Sequence, residues 1–340
     1  MERETRAPDN EEIRKMPQEK IDDISRLSRL VVRVLGLNPG PFTLQGTNTY
    51  LVGAGRSRLL IDVGEDMPGY VELLHKVMEQ NGVERISDVL ITHYHRDHSE
   101  GLKSLRRAFG EDLRAWKFQA AYKGEHGPSF DLVKAGVREL TDGQELSTEE
   151  GDATVRVLAT PGHTPDHVCF VLREEGAVFS GDCVLGDSSA VFEDLSQYMR
   201  SLQILLETFP PTNGSASTTC PEARRIYPAH GPLIVDGYNK VREYIDHREA
   251  REQQVLAALR EIRKSPLLRY TGLSPFGIVR AIYPSLSWKL RIAAAWNVEK
   301  HLDKLEAEGV ARLRDWLGLP LPPIMGIRID RIFLRRWFPH

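Results

Sequence analysis

Cysteine is scarce in this chain of 340 residues: Cys169, Cys183 and Cys220 are all it has. An odd, widely spaced set of three builds no disulfide framework, which excludes a stapled extracellular scaffold and points to a reducing compartment. A dominant charge is lacking too. The 45 Lys and Arg residues nearly balance 48 Asp and Glu, a formal net charge of 45 − 48 = −3. That excludes a histone-like polycation, although a local basic patch stays open. No stretch approaches the roughly 20 consecutive apolar residues of a membrane-spanning helix, and no membrane partner is expected. Residues 1–30 are charged from end to end. They hold no apolar signal-peptide core, and about as many acids as bases, unlike an acid-poor transit peptide. Secretion is therefore not expected, and the compartment expected is cytoplasmic or mitochondrial.

What is present suits a globular protein. The length fits one domain of roughly 200–250 residues plus a smaller one. Segments 30–36, 47–53 and 58–64 read as strands, with Gly53-Ala54-Gly55 as a hairpin turn between the last two. Residues 70–82 space their apolar side chains as a helix and stop at Asn81-Gly82. SDVLITH (87–93) is a buried strand whose end turns abruptly polar. Strands follow at 153–160, 168–174, 177–182 and 225–231, with helices over 196–208 and about 238–263. The Ser/Thr/Gly-rich stretch 212–219 reads as a surface loop. After Ser265 the pattern becomes two helices and an EGVARL turn-and-strand, a small winged-helix-like module. The predicted organisation is a disordered extension over 1–25, a main domain over 26–240, the module over 241–315 and a tail over 316–340 without a structural assignment.

The chemistry concentrates in THYHRDHSEG. His93 and His95 alternate along extended chain and project to one side, and Asp97 and His98 follow where the strand becomes a loop. Four nitrogen and oxygen donors in six residues are hard to explain by packing alone, because imidazole and carboxylate are standard zinc ligands. A lone His would be a surface or satisfied core residue. His163 in TPGHTPDH, Asp182 in FSGDC and His230 in YPAHGP each follow a strand as well. Four strands thus aim donors at what reads as one sheet edge.

HxHxDH followed by single His, Asp and His residues at strand ends resembles the metallo-β-lactamase superfamily. The resemblance implies an α/β fold, an αββα sandwich of two sheets with helices outside. It also implies two metal ions, taken here as two Zn2+ per chain, although ligand identity alone does not dictate the metal. His93, His95 and His163 would hold one ion, Asp97, His98 and His230 the other, and Asp182 would bridge them. Asp62, in LLIDVG, would orient the ligand loop. Longer matches, among them VVRVLGLNPGPFTLQGTNTYLVG, VFEDLSQYMRSL and HREAREQQ, resemble the β-lactamase-like protein 2 family of single-stranded RNA endoribonucleases. Several are shared with fungal polyketide thioesterases.

The function implied is hydrolysis by a metal-bound hydroxide that attacks a phosphodiester of single-stranded RNA. The alternative is hydrolysis of a thioester on an acyl carrier protein or coenzyme A. A third reading, a binding protein on a retired hydrolase fold, is disfavoured by the complete ligand set. Asp97, Asp182 and His167 are the candidate catalytic residues, with His167 either orienting its neighbours or protonating the leaving group. Cys183 should point away from Asp182 into packing; Tyr94 and Arg96 should face away. Asn48 and Thr49 would line the cleft or serve a turn. Arg328, Arg331, Arg335 and Arg336, with Phe333 and Trp337, suit a single-stranded nucleic acid or, equally, a helix packing its apolar side. The oligomeric state is not legible.

Overall fold

The computed structural model describes residues 20–118, 136–209, 222–264, 273–315 and 335–339. The chain divides into two compact units: one of Met1–Phe192 and Gln197–Arg242, the other of Glu193–Ser196 and Glu243–His340. No helix among the described residues is long and apolar enough to cross a membrane. The 212–219 loop lies outside the described residues.

The first unit is built on two sheets. Seven strands follow one another in chain order: β1 (Ile24–Arg26), β2 (Val31–Leu35), β3 (Asn48–Val52), β4 (Ser57–Ile61), β5 (Arg85–Ile91), β6 (Arg114–Phe118) and β7 (Arg138–Leu140). The pairings up to β4 are antiparallel and those from β4 to β7 parallel. Parallel neighbours need a crossover, and helix α1 (Tyr70–Gln80) supplies it between β4 and β5. The second sheet runs β12 (Ile226–Pro228), β11 (Ala177–Gly181), β10 (Val168–Leu172), β9 (Thr154–Ala159), β8 (Glu145–Ser147). Only its β11–β12 pairing is parallel; helix α4 (Leu195–Thr208) lies in that connection, after α2 (Arg96–Ser99) and α3 (Leu102–Phe109) earlier in the chain.

Alternation along the strands separates two cores. Val31, Tyr50, Leu59, Ile61 and Leu90 of the first sheet meet Val157, Phe170, Phe179 and Tyr227 of the second in one buried cluster, so the sheets pack face to face. The rings of Tyr50 and Phe179 lie 5.2 Å apart at its centre. On the far side of the first sheet, Val32, Leu51, Leu60 and Val89 pack against Leu74, Val77 and Met78 of α1 and Leu102 and Leu105 of α3. β2 to β5 are buried nearly throughout, which is why they read as continuous apolar runs rather than alternating ones.

Two departures from the sequence reading stand out in this unit. Residues 24 and 25, inside the stretch expected to be an extension, pair with β2 together with Arg26. Strands β6 to β8 went unrecognised; β6 (RAWKF) interleaves Arg and Lys with its apolar residues, yet Lys117 is buried.

In the second unit the main cluster joins Val255 and Leu259 of α5 (Gly237–Lys264) to Ile278 and Val279 of α6 (Pro275–Ile282). Ala295, Val298, Leu302 and Leu305 of α7 (Trp288–Ala307) complete its helical part. The Ser274 side chain caps α6 by accepting from the Gly277 N–H, with Pro275 at its first position. The tail carried no structural assignment, and its basic and aromatic residues suited either a nucleic-acid surface or a packed helix. Instead β14 (Arg335–Pro339) pairs antiparallel with β13 (Ala311–Asp315) as a β-wing. Trp337 is fully buried in the cluster, so its ring is no stacking platform for a base. Arg328, Arg331 and Phe333 lie outside the described residues.

Candidate metal centre

Strand β5 ends at Ile91, and the chain beyond it carries His93, His95, Asp97 and His98 into α2. Asp182 follows β11, His230 follows β12 and His163 sits in the β9–β10 turn. All seven meet in the first unit, in two groups.

In the first pocket, His93 Nε2 lies 2.8 Å from His95 Nδ1, and His163 Nε2 lies 3.2 and 3.1 Å from those two atoms. Tetrahedral corners about 2.0–2.1 Å from a zinc ion are about 3.3 Å apart, so the three nitrogens converge as a metal would gather them. In the second pocket, Asp97 Oδ2 is 3.1 Å from His98 Nε2 and 3.3 Å from His230 Nε2. Asp182 spans the two: its Oδ2 is 3.4 Å from His163 Nε2, while its Oδ1 is 3.2 Å from His230 Nε2 and 3.6 Å from His98 Nε2. His98 Nε2 and Asp182 Oδ1 are buried and make no hydrogen bond among the described residues. Orphaned polar atoms of this kind are costly, and a pair of divalent cations satisfies both. The donor set therefore fits two metal ions.

The outer nitrogens of three rings are tied down, which fixes their orientation. His93 Nδ1 lies 3.0 Å from Thr92 Oγ1, His163 Nδ1 2.7 Å from the Val191 carbonyl and His98 Nδ1 2.8 Å from Asp62 Oδ2. Asp62 also accepts from the Thr92 N–H at 2.8 Å and its hydroxyl at 2.9 Å. Its backbone is left-handed, φ 58°, a strained conformation for a residue with a side chain. Two tight bends hold the other ligands. Gly181 has φ 48°, and a Cβ there would stand 2.6 Å from His167 Nε2. Gly162 has φ 134°, and a Cβ would collide with the Tyr198 backbone of α4.

The remaining sequence candidates fall around this core. His167 is fully buried. Its Nε2 accepts from the Asp182 N–H at 3.1 Å, which leaves the proton on Nδ1, 2.9 Å from Thr160 Oγ1. Both ring nitrogens are thus engaged, one of them by the Asp182 backbone, and burial pushes the His167 pKa well down. Asn48 does not line a cleft: its amide donates to the carbonyls of Pro228 (2.8 Å) and Gly231 (2.9 Å), on either side of His230. Thr49 hydrogen-bonds Val34 O and Tyr70 OH in the interior. Arg96 faces away, toward Glu100. Cys183 is buried; contact with Cys169 and burial push its thiol pKa well up, which suits packing. Sequence reasoning missed Thr47, whose hydroxyl donates to Asp97 Oδ2 at 3.0 Å, and Thr92. Both flank motifs that were read, at positions where a Thr has no distinctive pattern.

Electrostatics separates the pockets. Burial and then the neighbouring imidazoles hold His93 far down; burial and His163 hold His95 at about 4. In the second pocket burial pulls the other way from the outcome. Asp97, Asp62 and Asp182 outweigh it and raise His98 well above its usual value, and Asp182 with Asp97 raises His230 to about 9. His98 and His230 in return overcome burial and hold Asp97 well down.

Known proteins resemble this chain. Residues 42–264 match the metallo-beta-lactamase superfamily and residues 274–315 the beta-lactamase associated winged helix domain. A beta-lactamase-like protein 2 homolog of Drosophila melanogaster is 40% identical over 296 residues, 86% of this chain and 93% of that protein. An atrochrysone carboxyl ACP thioesterase of Aspergillus chevalieri is 42% identical over 244 residues, 72% of this chain and 70% of that protein. The crystal structure of a beta-lactamase domain protein from Burkholderia ambifaria superposes with a TM-score of 0.66 at 20% identity, covering 93% of each chain.

Proposed function

We propose that this chain, which belongs to the metallo-beta-lactamase superfamily and is a hydrolase of that fold with a C-terminal winged helix, uses two zinc ions to hydrolyse phosphodiester bonds of single-stranded RNA. The observation that supports it best is the stance of Asp182, with one carboxylate oxygen toward each pocket. When bound, such a pair of cations lowers the pKa of water and stabilises charge on the attacked group. His93, His95 and His163 would hold one ion and Asp97, His98 and His230 the other. Two carboxylates, Asp97 and Asp182, oppose the four positive charges of two divalent ions, so the centre attracts an anionic group such as a phosphodiester.

The chain's own residues do the positioning. Asp62 and Thr92 fix the His98 and His93 rings, His167 fixes the Asp182 backbone, and Asn48 fixes the turn bearing His230. Asp97, Asp182 and His95 are the partly exposed members of the set, and the rest are buried. A substrate therefore meets the centre on the side of the carboxylates. The resemblance to the endoribonuclease family and the coverage of the Drosophila relative along nearly its whole length support RNA as substrate.

A second reading is hydrolysis of a carrier-protein thioester, favoured by the Aspergillus thioesterase relative. Incubating the protein with a labelled single-stranded RNA and with acyl thioesters, each with zinc and with chelator, separates the two. Chelator-sensitive RNA cleavage is expected. Chelator-sensitive thioester hydrolysis with intact RNA would transfer the assignment to the thioesterase.

A further inference from the structure

The β9–β10 turn that carries His163 is anchored by a charge pair that sequence reading passed over. Lys117 on β6 and Asp166 in the turn form an ion pair with side chains 4% and 0% exposed. Asp166 Oδ1 accepts from the Thr164 hydroxyl at 2.7 Å, while Oδ2 faces the ammonium. The lysine also donates to the Phe118 carbonyl at 3.0 Å. Burial draws the Lys117 pKa down to about 7. Buried ion pairs seldom add net stability over apolar residues of similar volume; their best-attested use is to specify one arrangement.

The position of this pair says what it specifies. Lys117 is the register partner of Ile91 on β5, two residues before His93. Asp166 lies three residues after His163, in a turn whose base is closed by Thr160 N–H to His167 O (3.0 Å) and whose tip is folded by Gly162 N–H to Thr164 O (3.0 Å). Beside it, the Val168 N–H donates to the Thr92 carbonyl at 2.9 Å, joining the two sheets at the end of β5. The ligands of the first pocket come from these two pieces: His93 and His95 from beyond β5, His163 from the turn. About 70 residues separate them along the chain, so tertiary contacts such as these set their spacing.

We propose that the buried Lys117–Asp166 pair is a positioning device that sets His163 against His93 and His95 and so tunes metal affinity of the first pocket selectively. This rests on the reading of the site as a two-metal centre. The test is cobalt(II) titration of the metal-free full-length protein, followed by visible absorption and chelator competition, with thermal unfolding of the metal-free forms alongside. Lys117→Met strands a buried carboxylate and is expected to lower the unfolding midpoint. The double variant Lys117→Met/Asp166→Leu removes both charges and is expected to restore most of that midpoint. It should still bind the first-pocket cobalt about 10–100-fold more weakly, the usual loss when groups behind a ligand are removed, with the second pocket unchanged. A merely structural pair would restore affinity together with stability; wild-type cobalt affinity in the double variant overturns the proposal. Failure of the wild-type protein to take up any cobalt is a distinct result, and it overturns the two-metal reading along with it.

Discussion

The two pockets sit side by side and share Asp182, yet they are prepared for a cation in opposite ways. The first is three imidazoles whose nitrogens are crowded to 2.8–3.2 Å. Crowding and burial hold His93 and His95 neutral, so a metal finds free lone pairs. The second is a carboxylate with two imidazoles, and the acids around them hold His98 and His230 protonated without metal. A metal entering there must displace protons. The comparison teaches that ligand identity sets not only what a pocket binds but what it holds while waiting.

The strongest way to break the comparison is to remove what the pockets share. Asp182→Asn is expected to abolish turnover on the true substrate and leave at most one tightly held metal by elemental analysis. Folding should survive, since Asp182 is partly exposed and the amide keeps its shape. His95→Ala, confined to the first pocket, should also abolish turnover. Wild-type rates in both variants would refute a two-metal mechanism.

The next largest effect is expected from Asp62→Asn, which removes the anion behind His98 while the first pocket keeps its own supports. Metal affinity should fall about 10–100-fold in the second pocket only; equal losses in both, measured by cobalt titration, would erase the asymmetry.

Acidity sharpens the contrast further. As pH falls, His98 and His230 protonate before His95, whose pKa is about 4 against about 9 for His230. The second pocket should therefore empty first in a pH titration of metal content. The sign reverses for folding of the metal-free protein. A His raised to about 9 contributes stability that is complete below its unfolded value of about 6.5 and lost as pH rises through 9; Asp97, held low, contributes above about 4 and loses it in acid. Below about pH 6.5 the unfolded chain also protonates His93, His95 and His167, which burial keeps neutral in the fold. The metal-free unfolding midpoint should therefore peak at about pH 6.5; a midpoint still rising toward pH 9 would contradict the charge assignments of the second pocket.

The mildest expectation concerns Thr47→Val. It deletes one hydrogen bond to Asp97, a net loss of about 0.5–1.5 kcal/mol, read as a severalfold weaker second-pocket affinity. No change would show that Asp97 is held by its imidazole neighbours alone.

Much of this was legible before any coordinates. The His-rich end of β5 was readable because an apolar strand that turns into four donors leaves no packing explanation. His163, Asp182 and His230 were readable only as a set, because each alone is an ordinary turn residue. The strands of the first sheet read well where both faces are buried. β6 was missed because its Arg and Lys look solvent-facing, while Lys117 is buried against an acid that the sequence places about 50 residues away. His167 shows the same limit. Its place after His163 suggested either an orienting role or leaving-group protonation, and its contacts with the Asp182 N–H and Thr160 Oγ1 are set by the fold alone.

Local chemistry along the chain determined which side chains could bind metal and roughly where each strand would deliver them, because donors and apolar runs are properties of neighbouring residues. The partition into two pockets, the straddling of Asp182 and the protonation of each ring were decided only by tertiary structure. Coulomb interactions and desolvation depend on separations of a few ångströms, and those are set by how two sheets pack, not by how residues follow one another.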